Sequence, residues 1–297
     1  MDFERYLSFL GNSLLFNISI VLIGFVLGWI MYSRIILRKI NLRDALFEKD
    51  NVAAWIEFFG AFIFPTLYLS AKLIEGAADT NIFMDLAICI GYEVGFIIIF
   101  TVLRLFSNMA IRQISPPDAE GKISLNNEIY KQKNIAAALF SISLSTMFLN
   151  LIRFFDVMPE NISTSLLTMS SVLIYTLLSI IVFSIILRSK TTLFKEIFID
   201  NNPAAGIVFT GFILAVETIL ANLIELQPEF DFIDVMVFPA LALFVFGIMS
   251  VIFKWLFAKM VKADVWSEVY EQNSIGAAIG QVALYMGIAN IIIHFVK

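Results

Sequence analysis

Apolar residues gather along the chain into eight stretches of about twenty, separated by short polar connections. A helix rises about 1.5 Å per residue, so about 20 residues cross a hydrocarbon core roughly 30 Å thick. The pattern therefore predicts spanning helices at Leu14–Ile36, Asn51–Ile74, Ile82–Leu105, Asn134–Leu151, Ser165–Leu187, Pro203–Ile224, Ile233–Leu256 and Ile275–Phe295. No ten-residue alternation of the kind a lipid-facing barrel strand needs recurs. The opening residues MDFERYLSFL have a weakly positive start followed by a run long enough to span, unlike a cleaved signal peptide. The expected class is an all-α membrane protein with eight transmembrane helices.

Four of these stretches begin alike, with DNVAAWI from Asp50, QKNIAAAL from Gln132, DNNPAAGIV from Asp200 and QNSIGAAI from Gln272. All four begin even-numbered helices. A helix start leaves backbone N–H groups without partners, which Asn, Asp or Ser side chains can accept. Asn51, Asn134, Asn202 and Asn273 are candidate caps, with Asp50, Asn201 and Ser274 beside them; Pro203 suits a first helical position. The small residues that follow are Ala53, Ala54, Ala136, Ala137, Ala138, Ala204, Ala205, Gly206, Gly276, Ala277 and Ala278. They let another backbone approach, which drives helix association in lipid. Two readings stay open: caps with packing faces, or an anion site at convergent helix N-termini.

The chain also repeats. IILR at Ile35–Arg38 recurs at Ile185–Arg188, and LIE at Leu73–Glu75 recurs at Leu223–Glu225, an offset of 150 that also pairs Arg104 with Lys254. Later the offset is 140, pairing Tyr130, Gln132, Ile135, Ala137, Ala138 and Asn150 with Tyr270, Gln272, Ile275, Ala277, Ala278 and Asn290. The ten-residue change falls in the Pro116–Pro117 loop, where insertion costs little. The expectation is two parallel four-helix repeats, residues 1–155 and 156–297, related by a pseudo-twofold along the membrane normal and unlike the inverted repeats of many transporters.

Composition narrows the chemistry. The chain is 60% hydrophobic and 15% charged, against about 25% charged in soluble domains. One cysteine, Cys89, and one histidine, His294, argue against a disulfide framework and a His- or Cys-rich metal site. Sixteen of the twenty Lys and Arg fall after spans one, three, five and seven, leaving Arg5, Lys72, Arg153 and Lys297 on the other side. The positive-inside rule then puts both termini away from the cytoplasm, on the periplasmic side of a bacterial inner membrane. Basic loops are explained by topology and anionic lipid, so nucleic acid is not an expected partner. No phosphate-binding loop, nucleophile elbow, H-E-x-x-H or CxxC occurs; no enzyme activity and no cofactor are expected.

Three glutamates stand out, because a carboxylate at mid-membrane costs about 2.5–3.5 kcal/mol on insertion scales. Glu57, Glu93 and Glu217 pair at the repeat offset with Ile207, Leu243 and Leu67, and so break the pseudosymmetry. Either each is protonated and bonded to a neighbouring helix, or at least one handles a proton or cation. Asn150, Asn222, Asn290, Gln281, Ser141, Ser143 and Ser145 form a polar set expected to hydrogen-bond between helices. Lys72, Glu75, Arg153 and Glu225 are placed to reach the outer interface. Gly24–Gly28, Gly91–Gly95 and Gly276–Gly280 have the spacing of close helix contacts. Pro65 and Pro239 mark expected kinks.

The Asn-x-Ala-Ala starts, in two-helix units with basic inner loops, resemble the domain of unknown function 350 family of small bacterial inner-membrane proteins. NVAA, NIAAA and NPAAG fit that family's pattern, and NSIGAA departs from it. The resemblance implies two four-span domains fused in one chain, and brings with it no activity and no binding residue. Two functions follow from the residues. One is a transporter or channel for a small ion or proton-coupled solute. The other is a structural or scaffold protein working through helix packing, lipid, a homo-oligomer or a membrane partner subunit.

Overall fold

The computed structural model describes residues 3–74, 82–115, 123–157, 162–188, 191–225 and 232–296. Glu75, Pro116, Pro117, Lys122, Lys190 and Lys297 lie outside the described residues, as do the side chains of Arg5, Lys72, Arg153 and Glu225. The described residues are 88% helical, with no strand among them. Among the described residues, eight helices are long and apolar enough to cross a membrane, over Asn17–Ile36, Val52–Ser70, Leu86–Ile114, Ile135–Ile152, Leu166–Leu187, Pro203–Leu223, Val235–Val261 and Ile275–Phe295. They are called spans one to eight below.

Spans three and seven belong to helices that outrun their expected ends. Ile82–Ile114 has 33 residues and Phe232–Val261 has 30, lengths of roughly 45–50 Å against a core of roughly 30 Å. A helix does not need apolar side chains to continue past the lipid. Arg112 and Lys259, beyond the expected ends of these runs, therefore sit on helices, as do Arg104 and Lys254 within them.

The chain forms two compact units, Met1–Tyr130 and Lys131–Lys297. The first contains spans one to three. The second contains spans four to eight, so the fourth span of the first sequence repeat packs in the second unit. Ala136, Ser143 and Asn150 of span four meet Gly206, Thr210 and Glu217 of span six. A Cβ on Gly206 would lie 2.8 Å from the Ala136 Cα, and Ser143 and Thr210 share a 3.0 Å hydrogen bond. Span six meets span eight through its other face, where Gly211 packs under Val282 and Phe212 lies edge-on to Tyr285.

Each even-numbered span is preceded by a short helix: Asp44–Glu48, Leu125–Tyr130, Leu193–Phe198 and Val265–Tyr270. The chain leaves each short helix through a left-handed residue, Asp50 (φ 45°), Lys133 (φ 56°), Asn201 (φ 51°) or Asn273 (φ 59°). Asn and Asp tolerate that conformation best among residues with a side chain. The next residue starts the span.

Span two is wound differently from its counterpart. Its helix is α-helical over Val52–Trp55, π-helical over Ile56–Ile63 and α-helical again over Phe64–Ile74. Asn51 to Leu73 is 22 positions, whereas Asn202 to Leu223 is 21. The extra residue is absorbed by i→i+5 winding, and Glu57 lies on that segment. Pro65 falls in the first turn after the π winding ends. Pro239 lies inside the Phe232–Val261 helix without interrupting it.

Of the three glycine pairs, only Gly24 and Gly28 meet neighbours within the chain. A Cβ on Gly28 would lie 2.5 Å from Ile63 Cδ1, and one on Gly24 would strike Glu93 and Leu67. A Cβ on Gly91, Gly95, Gly276 or Gly280 would have nothing within 4 Å among the described residues.

Candidate functional site

The start motifs do two jobs with one side chain. Asn51, Asn134 and Asn202 each accept, through Oδ1, the N–H three residues on: Ala54 at 3.2 Å, Ala137 at 2.9 Å and Ala205 at 2.9 Å. Each also donates from Nδ2 to the carbonyl of a distant short helix: Ile129 at 2.7 Å, Ile197 at 2.7 Å and Val269 at 3.1 Å. Ile129, Ile197 and Val269 lie five residues before the second, third and fourth starts. Every asparagine thus clamps the short helix that introduces the next even-numbered span. Asn51, Asn134 and Asn202 are buried, as are Ala53, Ala54, Ala137, Ala138, Ala204, Ala205 and Ala278.

The fourth start departs from this scheme. The N–H of Ala277 is accepted by Ser274 Oγ at 3.4 Å, not by Asn273, which holds the left-handed position instead. The cap must have extended backbone, so the positive φ at Asn273 moves the role one residue on. A serine has no amide to send outward. At the other end of the series, the Leu46 carbonyl takes the Trp55 indole N–H at 2.9 Å. Leu46 stands five residues before Asn51, the place held by Ile129, Ile197 and Val269 before the other starts.

Behind three of the starts stands a glutamate not singled out from sequence. Glu128, Glu196 and Glu268 each lie six residues before Asn134, Asn202 and Ser274. Glu128 and Glu196 are buried, and Asn202 Nδ2 donates to Glu196 Oε2 at 2.8 Å. The Asn202 N–H also reaches the Glu196 carbonyl at 2.9 Å, as Ser274 N–H reaches Glu268 at 2.8 Å. Aligning the four starts, rather than reading outward into the apolar runs, exposes this E-x-x-x-x-x-N/S spacing.

Each of the three intramembrane glutamates has its own neighbourhood. Glu57 forms a buried ion pair with Arg104 Nε. Arg104 Nη2 donates to Asn126 Oδ1 at 2.9 Å, and Asn126 Nδ2 donates to the Ile36 carbonyl at 3.1 Å. The Tyr32 and Tyr130 hydroxyls share a 2.7 Å hydrogen bond in the same network. Burial, with the Glu57 charge adding to it, pushes the Tyr130 hydroxyl well above its ordinary value. The second repeat keeps the cation and changes the partner. Lys254, counterpart of Arg104, lies 3.2 Å from the Trp266 ring centroid, and Trp266 stands where Asn126 does in the first repeat.

Glu217 is enclosed by donors. Thr176 Oγ1 donates to Oε1 at 2.7 Å, and Asn150 Nδ2 donates to Oε2 at 2.8 Å. Both partners are buried with it. Asn290, expected to bond between helices like Asn150, instead donates to the Met286 carbonyl of its own helix at 2.9 Å and is exposed. Asn222 likewise bonds within its own helix, to the Thr218 carbonyl.

Glu93 differs from both. It is 0% exposed, and neither carboxyl oxygen has a hydrogen-bond partner among the described residues. Its side chain lies against the bare backbone of Gly24, where a Cβ would come within 2.5 Å of Oε1. Arg104, the partner of Glu57, is eleven residues further along the same helix, about 16 Å along its axis. Glu57 and Glu93 therefore belong to separate sites.

Comparison with curated proteins gives no match, and comparison with solved structures gives none. The profile of the family described as Domain of Unknown Function (DUF350) matches twice, over residues 6–152 and 157–296, so the chain belongs to that family and carries its domain in two copies.

Proposed function

We propose that this polytopic membrane protein moves a proton or small cation, with Glu93 as the group that takes and releases it. The supporting observation is the contrast among the glutamates. Glu57 is neutralised by Arg104, and Glu217 is held by two donors, as architecture requires. Glu93 is also buried, with no donor among the described residues. A carboxyl in that setting costs free energy that no bond among the described residues offsets, and an oxygen with no fixed donor can bind a mobile cation. Its counterpart Leu243 shows that the fold does not need an acid there.

The membrane is a bacterial inner membrane in this reading, with both termini on the periplasmic side. The excess of Lys and Arg after the odd-numbered spans supports that orientation. No catalytic role is assigned. The test is proton or alkali-cation flux in proteoliposomes, comparing the wild type with Glu93→Gln and Glu217→Gln. Loss of flux in the first variant alone is the expected result. Equal flux in wild-type, Glu93→Gln and protein-free vesicles ends the proposal.

A second reading, a scaffold acting through helix packing, is favoured by the linked start motifs. They fix three even-numbered helix starts to the short helices that follow them. It gains if no ion tested crosses and the protein is recovered with a membrane partner.

A further inference from the structure

Glu93 and Glu217 stand at answering positions of the two repeats, with the residue types exchanged. At the offset of 150, Glu93 of span three answers to Leu243 of span seven, and Leu67 of span two answers to Glu217 of span six. Each repeat thus carries one glutamate and one leucine at this pair of positions. In the first repeat both meet at Gly24 of span one, where an added Cβ would lie 2.5 Å from Glu93 Oε1 and 2.8 Å from Leu67 Cδ2. In the second repeat the acid is met by Thr176 of span five and by Asn150 of span four. Thr176 answers to Val26 of span one, which has no hydroxyl to offer.

We propose, resting on the function given above, that the ion taken and released by Glu93 is a proton and not an alkali cation. A cation stripped of its water needs a shell of about six oxygens, so neighbouring ligands on one ion stand about 3–3.5 Å apart. A hydroxyl or amide placed to share a cation with a carboxyl is therefore close enough to hydrogen-bond to it when the cation is gone. Glu217 has two such neighbours. Glu93 has none among the described residues. The buried hydroxyls of its own span and of span two are turned onto their own helices. Thr66 donates to the Phe62 carbonyl at 2.9 Å, Ser70 to the Thr66 carbonyl at 3.0 Å and Thr101 to the Ile97 carbonyl at 2.7 Å. Gly24, Leu67 and Glu93 all lie within α-helices, whose carbonyls serve the ladder.

A proton needs no shell. Hydronium passes H⁺ to one carboxylate oxygen, an O–H bond forms there, and water leaves; release to water is the reverse. The charge disappears in the same step, so what stays buried is a neutral polar group, far less costly than an ion. Gly24 and Leu67 give the carboxyl a wall of hydrocarbon and backbone that accommodates the neutral acid and offers a cation no ligand. The repeat thus holds two carboxyls at answering places, one fixed by ligand groups and one stripped of them.

Proteoliposomes holding the full chain test this in two arms. In the first, an imposed pH gradient drives proton flux, read by an entrapped pH-sensitive dye with choline as the bulk cation. In the second, uptake of radioactive sodium or rubidium is followed at a fixed pH. The wild type should pass protons at a rate unchanged when sodium or potassium replaces choline, and should take up neither radioactive ion above protein-free vesicles. Glu93→Gln should bring the proton flux down to the protein-free level, and Glu93→Asp, which keeps an acid, should retain part of it. Sodium or rubidium uptake that Glu93→Gln abolishes overturns the proton assignment while leaving Glu93 as the group that moves an ion. So does a proton flux that stops in choline and returns with sodium or potassium. If neither flux in the wild type exceeds that of protein-free vesicles, the proposed function fails and the proton assignment falls with it.

Discussion

The Asn134 amide stands 2.7 Å from the Ile197 carbonyl while its oxygen accepts the Ala137 N–H at 2.9 Å. One side chain therefore ends a helix and joins it to another. Removing a cap costs about 0.5–2 kcal/mol, and stranding a buried carbonyl costs about 1–3 kcal/mol. Asn134→Ala and Asn202→Ala should each destabilise by about 2–4 kcal/mol. Ser274→Ala loses only a cap and should cost about 0.5–1 kcal/mol. Thermal unfolding in nanodiscs, followed by tryptophan fluorescence, gives the comparison; equal losses at the three positions would refute the double role.

Arg104 and Glu57 make a different case, because each is costly without the other. Breaking a buried pair from one side typically costs about 3–5 kcal/mol, whereas replacing both members with apolar residues is often neutral. Glu57→Leu and Arg104→Met should each lower the unfolding temperature strongly, and the double variant should be milder than either. The second repeat already shows an apolar residue at the acid position. Additive losses in the double variant would mean that the two residues act on separate partners.

The spans, the repeat and the helix starts were legible because bilayer thickness and helix capping write themselves into local composition. The number of spans follows from run length, and Asn51, Asn134 and Asn202 cap where the motif places them. Asn273 was misplaced by one residue, since Asn suits both a cap and a left-handed turn and sequence alone does not separate the two. Arg112 and Lys259 read as loop cations because an apolar run ends where its lipid contact ends, not where its helix does. The membership of span four in the second unit was hidden for another reason. It depends on which small residues face each other, Ala136 and Gly206 among them, and that is set by tertiary packing. The π-wound segment did leave a trace, the one-residue difference between spans two and six.

Gly206 and Gly91 separate packing glycines from open ones. A Cβ at Gly206 falls 2.8 Å from the Ala136 Cα and 3.3 Å from its carbonyl oxygen, backbone atoms that cannot rotate away. Gly206→Ala should therefore destabilise by about 1–3 kcal/mol through overpacking. Gly91→Ala meets nothing and should be neutral or stabilising by up to about 1 kcal/mol, the helix-propensity difference. Unfolding midpoints of the two variants in one lipid composition decide it, and a loss at Gly91 as large as that at Gly206 would contradict the packing described.

Glu93 and Glu217 offer the sharpest contrast, and methionine, unbranched and of similar length, exposes it. Glu217→Met deprives the Asn150 amide and the Thr176 hydroxyl of their acceptor, at about 1–3 kcal/mol for each group left unsatisfied. Glu93→Met removes no hydrogen bond and relieves a buried polar group, so stability should hold or rise. The expected pattern is a less stable Glu217→Met protein that still conducts, beside a stable Glu93→Met protein that does not. Unfolding midpoint and flux measured on the same preparations give both axes. If Glu93→Met falls as far as Glu217→Met, the carboxyl at 93 supports the fold, and its role in moving a proton or cation loses the contrast on which it stands.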